Sequence, residues 1–211
     1  QLGVTDGNLA AALSAGGKFV VHGLAADGGG VEKARAQVQA LGLYGPVSVE
    51  RCDFQRLPYA ENLVNLMVCE HPAPLLAKGL DLKEVLRVLA PGGAFCFGGG
   101  LDAAKLSAAG FGAVRSSGAW SVAVKPRPAE MDEWPCFDHA PDGNPVSRDT
   151  LVGPATGLRW RIRAWAMHTQ NVVTGWVSAG GRLFYCLREM TPDGHRFRYI
   201  LTARNAYNGL L

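Results

Sequence analysis

Near the start of the chain stand Gly3, Thr5, Asp6, Gly7 and Asn8, directly ahead of the helical run Leu9 to Leu13. A glycine turn that opens into a helix brings backbone N–H groups close to a nucleotide-like ligand, because no Cβ holds the ligand off. The same residues also read as a plain strand-to-helix turn. Other residues with chemical potential are more scattered. His139, His168 and His195 have no metal-like spacing, so surface or turn positions are their ordinary reading. Trp160 and Trp165, with Arg159, Arg161 and Arg163, could stack on a ligand, or could alternate in and out along a strand. No Gly-x-Ser-x-Gly elbow and no Gly-Lys-Ser/Thr phosphate loop is present, which argues against hydrolase and P-loop chemistry.

The elements that must position these residues differ between the two halves. Residues 1–126 carry every Lys, while residues 127–211 carry only Arg and four of the five Trp. Lys125-Pro126-Arg127-Pro128 marks the join, because alternate prolines forbid helix and favour an extended segment. In the first half, Lys18 to Leu24, Val47 to Cys52, Leu63 to Cys69, Ala94 to Phe97 and Trp120 to Val124 read as strands. Helical spacing appears in Val31, Ala34, Val38 and Leu41, and again in Leu82, Val85, Leu86 and Leu89, ended by Pro91-Gly92-Gly93. Alternation of this kind predicts βαβ units, with the Lys18, Val47, Leu63 and Ala94 strands all parallel. Ligands of such sheets sit beyond the carboxyl ends of the strands. The second half instead shows short runs split by Gly180-Gly181, Pro192-Asp193-Gly194 and Asn208-Gly209. Arg182 to Leu187 and Phe197 to Ala203 read there as strands of an all-β portion joined by a long hairpin.

Composition sets the outer bounds. With 211 residues, 48% hydrophobic and 18% charged, the chain can bury a sizeable core and is not disordered over most of its length. A net charge of +3 without like-charge blocks points to neither nucleic acid nor an anionic membrane. No apolar run approaches the roughly 20 residues of a membrane span. No leader is visible, but Gln1 is not an initiator Met, so this does not exclude export. Cys52, Cys69, Cys96, Cys136 and Cys186 are odd in number and widely spaced, which fits neither a disulfide framework nor a zinc site. Cys69 and Cys96 lie in apolar runs and read as small core residues.

Residues 1–126 resemble a class I S-adenosylmethionine-dependent methyltransferase acting on small molecules. Gly3, Thr5 and Gly7 fall on that family's three loop glycines, with Thr5 replacing the middle one. Arg51-Cys52-Asp53-Phe54 followed by Leu57-Pro58-Tyr59 resembles the segment whose Asp contacts the adenine amino group, which makes Asp53 that residue. Leu63 to Val68 matches the fourth strand, followed by Cys69-Glu70-His71, where the family places substrate-facing groups; His71 itself reads rather as a helix-entry or loop residue. Glu84 to Gly93 matches the helix and turn before the fifth strand, and Ala109-Gly110-Phe111 with Trp120 to Val124 the closing antiparallel hairpin. The resemblance implies a Rossmann-like α/β sheet and S-adenosylmethionine as cofactor. It places cofactor contacts at Gly3, Thr5, Asp6, Gly7, Asp27, Asp53, Phe54 and Glu70. It implies a small-molecule acceptor and requires no catalytic base, because the sulfonium is already a good leaving group.

Three features depart from that pattern. The family's ribose-binding acid falls on Ala25, which offers no acceptor; Asp27 could substitute only if Gly28-Gly29-Gly30 folds back as a loop. Losing two charge-assisted bonds costs about 2–4 kcal/mol, roughly 30- to 1000-fold in affinity. An Asp at position 25 is expected to be tolerated at the strand end. Thr5 places a Cβ at a close-approach position. The family's central first strand would precede Gln1, so the sheet is expected to lack it and the chain to be a fragment. These departures keep a second reading open, a non-catalytic scaffold built on an eroded methyltransferase fold.

The second half has its own resemblance. Gly180 to Tyr185 and Leu201 to Leu211 look like a pyrroloquinoline-quinone-type β-propeller repeat, with Asn205 in its Asp position. A linker is expected over 127–150, and Glu133 to Pro154 resembles the connecting segment of large bacterial methyltransferase–propeller fusions. A partial blade over 151–211 would follow, with the remaining blades as its partners. Proteins of that class are commonly exported.

Overall fold

The computed structural model describes residues 1–153, 157–161 and 172–211. Contacts divide the chain into two units, Gln1–Pro126 and Arg127–Leu211.

The first unit alternates helix and strand: α1 (Asn8–Leu13), β1 (Val21–Ala25), α2 (Gly28–Ala40), β2 (Val47–Arg51), β3 (Val64–Cys69), α3 (Pro72–Ala77), α4 (Leu82–Val88), β4 (Leu89–Gly98), α5 (Ala103–Ala109), β5 (Val114–Ser117) and β6 (Trp120–Val124). The strands β1 and β2 pair in parallel, as do β3 and β4; β6 then pairs antiparallel with both β4 and β5. The closing antiparallel hairpin is β5–β6; Ala109 and Gly110, expected to belong to it, instead end and cap α5. Short strands form here because their inward residues are apolar: Val47 and Val49 of β2 are buried while Ser48 is exposed. Helix α2 buries Val31, Ala34 and Val38 at helical spacing, and Asp27 starts it by accepting from Gly30 N at 2.8 Å. Asp81 and Asp102 cap α4 and α5 in the same way.

Strand β1 begins at Val21 rather than Lys18, and Phe19 and Val20 are exposed. Pro91-Gly92-Gly93 does not end before its strand. It bulges from β4, because the ladder passes from Val64–Leu89 directly to Leu66–Ala94. Proline cannot donate to a ladder, so it sits in that extrusion.

The central position of the sheet is held at its carboxyl end. Leu2 bridges Leu24 of β1 and Cys69 of β3, both in parallel. Leu2 N donates to Val68 O at 2.8 Å and Leu24 N to Gln1 O at 2.9 Å. Amino-terminal to this bridge β3 is open: Leu66 is 51% exposed, while Met67, Val68 and Cys69 are buried. The main core lies on the Leu2–Phe97 side, around Phe54, Leu57, Val85, Phe95 and Leu106. Two smaller clusters, one around Val4, Ala25 and Val49 and one around Ala10, Val38 and Val47, lie beneath the first two helices.

The second unit is an antiparallel sheet of β7 (Val172–Ala179), β8 (Arg182–Met190) and β9 (Phe197–Asn205). Gly180 and Gly181 turn β7 into β8 with φ of 58° and 74°, a region glycine enters without cost. Asn205 Oδ1 accepts from Tyr207 N and Asn208 N, closing the turn after β9. The segment 127–150 is folded onto this sheet. Trp134 exchanges hydrogen bonds with Ser178, and Glu133 accepts from Gly180 N at 2.7 Å. Asp132 gathers the segment by accepting from His139 at 2.6 Å, Arg148 N at 2.6 Å and Ser147 at 3.2 Å. Arg159, Trp160 and Arg161 lie in an irregular stretch rather than a strand, and Trp160 donates to Ala206 O. Pro154, Arg163, Trp165 and His168 lie outside the described residues. None of the described residues of this unit joins the buried apolar core.

Candidate functional site

Four segments reach the same edge of the first unit's sheet, because all follow the carboxyl ends of parallel positions. Gly3 to Gly7 follows Leu2, Asp27 follows β1, Asp53 follows β2 and Glu70 follows β3. Leu2 stands between β1 and β3, with β2 and β4 extending to opposite sides, and in open sheets of this kind ligands bind beyond the carboxyl ends of the strands at such a switch point.

The first turn is fixed by the fold itself. Gly3 N and Val4 N both donate to Leu24 O at 2.9 Å, and Gly3 has φ 74°. Gly7 has φ 82°, and a Cβ there would lie 2.8 Å from Ala34 O. Gly7 is thus required by packing, and Gly3 by its left-handed backbone, before any ligand is considered. Thr5 is exposed and has no left-handed backbone, so its side chain strains nothing in the turn. Asp6 is half-buried, and its carboxylate is turned onto its own loop. Its Oδ1 accepts from Asn8 N at 3.0 Å and its Oδ2 from Asn8 Nδ2 at 2.9 Å. The Asn8 backbone bond holds the Asp6 carboxyl below its ordinary value. Asn8 N at the start of α1 is therefore already occupied, and α1 is only six residues long.

The segment after β2 is shaped by a clamp. Glu84 Oε1 accepts from Leu57 N at 2.8 Å, and Arg87 Nη2 donates to Tyr59 O at 3.0 Å and to Glu84 Oε1 at 2.7 Å. Tyr59 in turn meets His22 Nδ1 through its hydroxyl at 2.9 Å. Burial raises the Tyr59 phenol and lowers the His22 imidazole, so both are neutral at pH 7. This clamp presents Asp53 outward, with one oxygen accepting from Gln55 N at 3.1 Å. Phe54 is the exception among the expected cofactor contacts. Its ring is 0% exposed in the core and its amide donates to Cys52 Sγ, so the ring cannot face a ligand. The i,i+3 spacing of Glu84 and Arg87 on a helix signals their ion pair, but nothing in the sequence shows that the pair meets Leu57 and Tyr59.

Asp27 stands two residues past β1, yet its carboxylate caps α2, and Gly28 to Gly30 is the first helical turn rather than a folded-back loop. Ala25 is 0% exposed among Val4, Val31, Ala34 and Val49. An Asp at 25 would therefore be buried among apolar groups, contrary to the expectation of a tolerant strand end. Glu70 is exposed at the edge, its carbonyl packed against Gly98 so closely that a Cβ there would meet it at 2.0 Å. His71 is the exposed entry residue of α3. Among the described residues no group of three His, Cys, Asp or Glu is placed to hold a metal. No helix among them is long and apolar enough to cross a membrane.

The glycine turn, Asp53 and Glu70 stand at one sheet edge, and Ala25 is buried at the end of β1. Residues 1–93 match the methyltransferase domain family. Nothing among curated proteins matches the chain. Among solved structures it is similar to the [4+2]-cyclase SpnF at 21% identity and TM-score 0.47, over 52% of this chain and 48% of that one. It is similar to an S-adenosylmethionine-dependent methyltransferase from Aquifex aeolicus at 22% identity and TM-score 0.46, over 58% and 77%. The antibiotic-resistance methyltransferase Kmr shows 18% identity and TM-score 0.48, over 60% and 85%. The chain thus spans about half the length of SpnF.

Proposed function

We propose that the first unit is a methyltransferase-like domain that holds S-adenosylmethionine in the crevice above Leu2, with reduced affinity, and that any methyl acceptor is a small molecule. The observation that carries this reading is the convergence of Gly3–Gly7, Asp53 and Glu70 at one sheet edge, within a region that matches the methyltransferase domain. Asp53 would accept from the adenine amino group, and the Gly3–Gly7 backbone would pass beneath the methionine end. Bound there, the cofactor supplies a methyl group on a sulfonium that needs no further activation. The chain's own contribution is orientation: the Glu84–Arg87 clamp fixes the Asp53 segment, and Gly3 fixes the turn.

A second reading, a non-catalytic scaffold, is favoured by one observation: Ala25 is sealed in an apolar cluster and Asp27 is engaged as a helix cap. For the second unit we propose one blade of a β-propeller-type repeat, completed by neighbouring blades of a longer parent chain. Its support is the three-stranded antiparallel sheet with the Asn205 turn and no buried apolar residue of its own among those described. Export of that parent follows only from the resemblance to the fusion class.

Calorimetric titration of S-adenosylmethionine into the chain tests the first reading. Binding in roughly the micromolar-to-millimolar range, weakened about tenfold by Asp53→Ala, is expected. Absence of binding at about millimolar ligand would leave the scaffold reading.

A further inference from the structure

The carboxyl end of β1 is where sheets of this kind place a carboxylate that accepts from ribose hydroxyls, about 20 residues past the glycine turn. Here that place is Ala25, 0% exposed and enclosed by Val4, Val31, Ala34 and Val49. The space beside it is also closed. A Cβ built on Gly30 would lie 3.6 Å from Ala25 Cβ and 3.2 Å from Val4 O, so α2 starts hard against this strand end. The nearest acid in sequence, Asp27, points its Oδ1 at Gly30 N at 2.8 Å and begins the helix. Swinging that carboxylate away to meet a ligand would uncap α2.

Resting on the proposed cofactor site, we infer that this crevice takes an adenosyl ligand without reading its ribose hydroxyls. Recognition is confined to the base, through Asp53, and to the amino-acid end, through the Gly3–Gly7 turn. A site built with a ribose carboxylate discriminates sharply against a deoxy ligand, because a charged acceptor is left without its donor. Ala25 leaves nothing unpaired when a hydroxyl is removed, so ribose-modified adenosyl compounds are admitted equally.

The test compares S-adenosylhomocysteine with its 2′-deoxy analogue by calorimetry, on the chain and on Asp27→Asn. Asparagine caps a helix about as well as aspartate, so this variant keeps α2 while removing the charge. Equal dissociation constants for the two ligands within about twofold, unchanged in Asp27→Asn, are expected. A deoxy analogue bound tenfold or more weakly overturns the inference while leaving the cofactor reading intact. A tenfold loss of S-adenosylhomocysteine affinity confined to Asp27→Asn also overturns it, and identifies Asp27 as the ribose acceptor. If neither ligand binds at about millimolar concentration, the cofactor reading fails and the inference falls with it.

Discussion

Gly7 faces the backbone of Ala34 so closely that a Cβ at Gly7 would stand 2.8 Å from the Ala34 carbonyl oxygen. The residue that looks most like a ligand-cradling glycine is also the point where α1 meets α2. Gly7→Ala meets both a left-handed φ of 82° and this contact, and is expected to destabilise the first unit by about 2–4 kcal/mol. Denaturant unfolding checks this. An unchanged midpoint would show that the turn is reserved for a ligand rather than for packing.

The Glu84–Arg87 clamp gives a pH-dependent prediction. The Arg87 bond first, then the Leu57 amide, hold the Glu84 carboxyl below its ordinary 4.5. A depressed folded-state value means the contribution is full above about pH 4.5 and is lost as pH falls below it. Glu84→Gln is expected to cost about 1–3 kcal/mol at pH 7, with the difference from the parent shrinking in acid. Thermal melts at pH 7 and at about pH 3.5 measure both.

Two substitutions at the end of β1 separate the cap from the core. Asp27→Ala removes the acceptor for Gly30 N and is expected to cost about 1 kcal/mol. Ala25→Asp buries a carboxylate among Val4, Val31, Ala34 and Val49, and is expected to cost more than about 2 kcal/mol at pH 7, less at low pH, where the group is neutral. Equal stabilities of the two variants at pH 7 would contradict the enclosure of Ala25.

The strand–helix alternation was legible because burial on both faces makes parallel strands read as apolar runs, as in Leu63 to Cys69 and Val47 to Cys52. Short helices α3 and α5 were missed, since six or seven residues hold too few turns for a periodic signal. Of the candidate site, the strand-end positions of the turn glycines, Asp53 and Glu70 followed from the strand pattern, while their roles rest on the family resemblance alone. Phe54 could not, because a left-handed φ of 65° that swings its ring into the core leaves no mark in its neighbours. The Asp27 cap was hidden behind three glycines that read as a loop. Glycine is a poor helix former, and here an N-cap and the buried stripe of Val31, Ala34 and Val38 outweigh it.

Leu2 joins two parallel ladders through a single bridged residue, and this sets how the first unit comes apart. The pair β1–β2 packs under α1 and α2 through its own small clusters, and of these two strands only Leu24 reaches the main core on which β3 to β6 rest. Such a seam divides a sheet into segments that open on separate schedules. Amide hydrogens of Val21 to Arg51 should exchange with deuterium as one group and those of Met67 to Val124 as another, slower group. The amide of Leu2, bonded to Val68, should report the slippage between them.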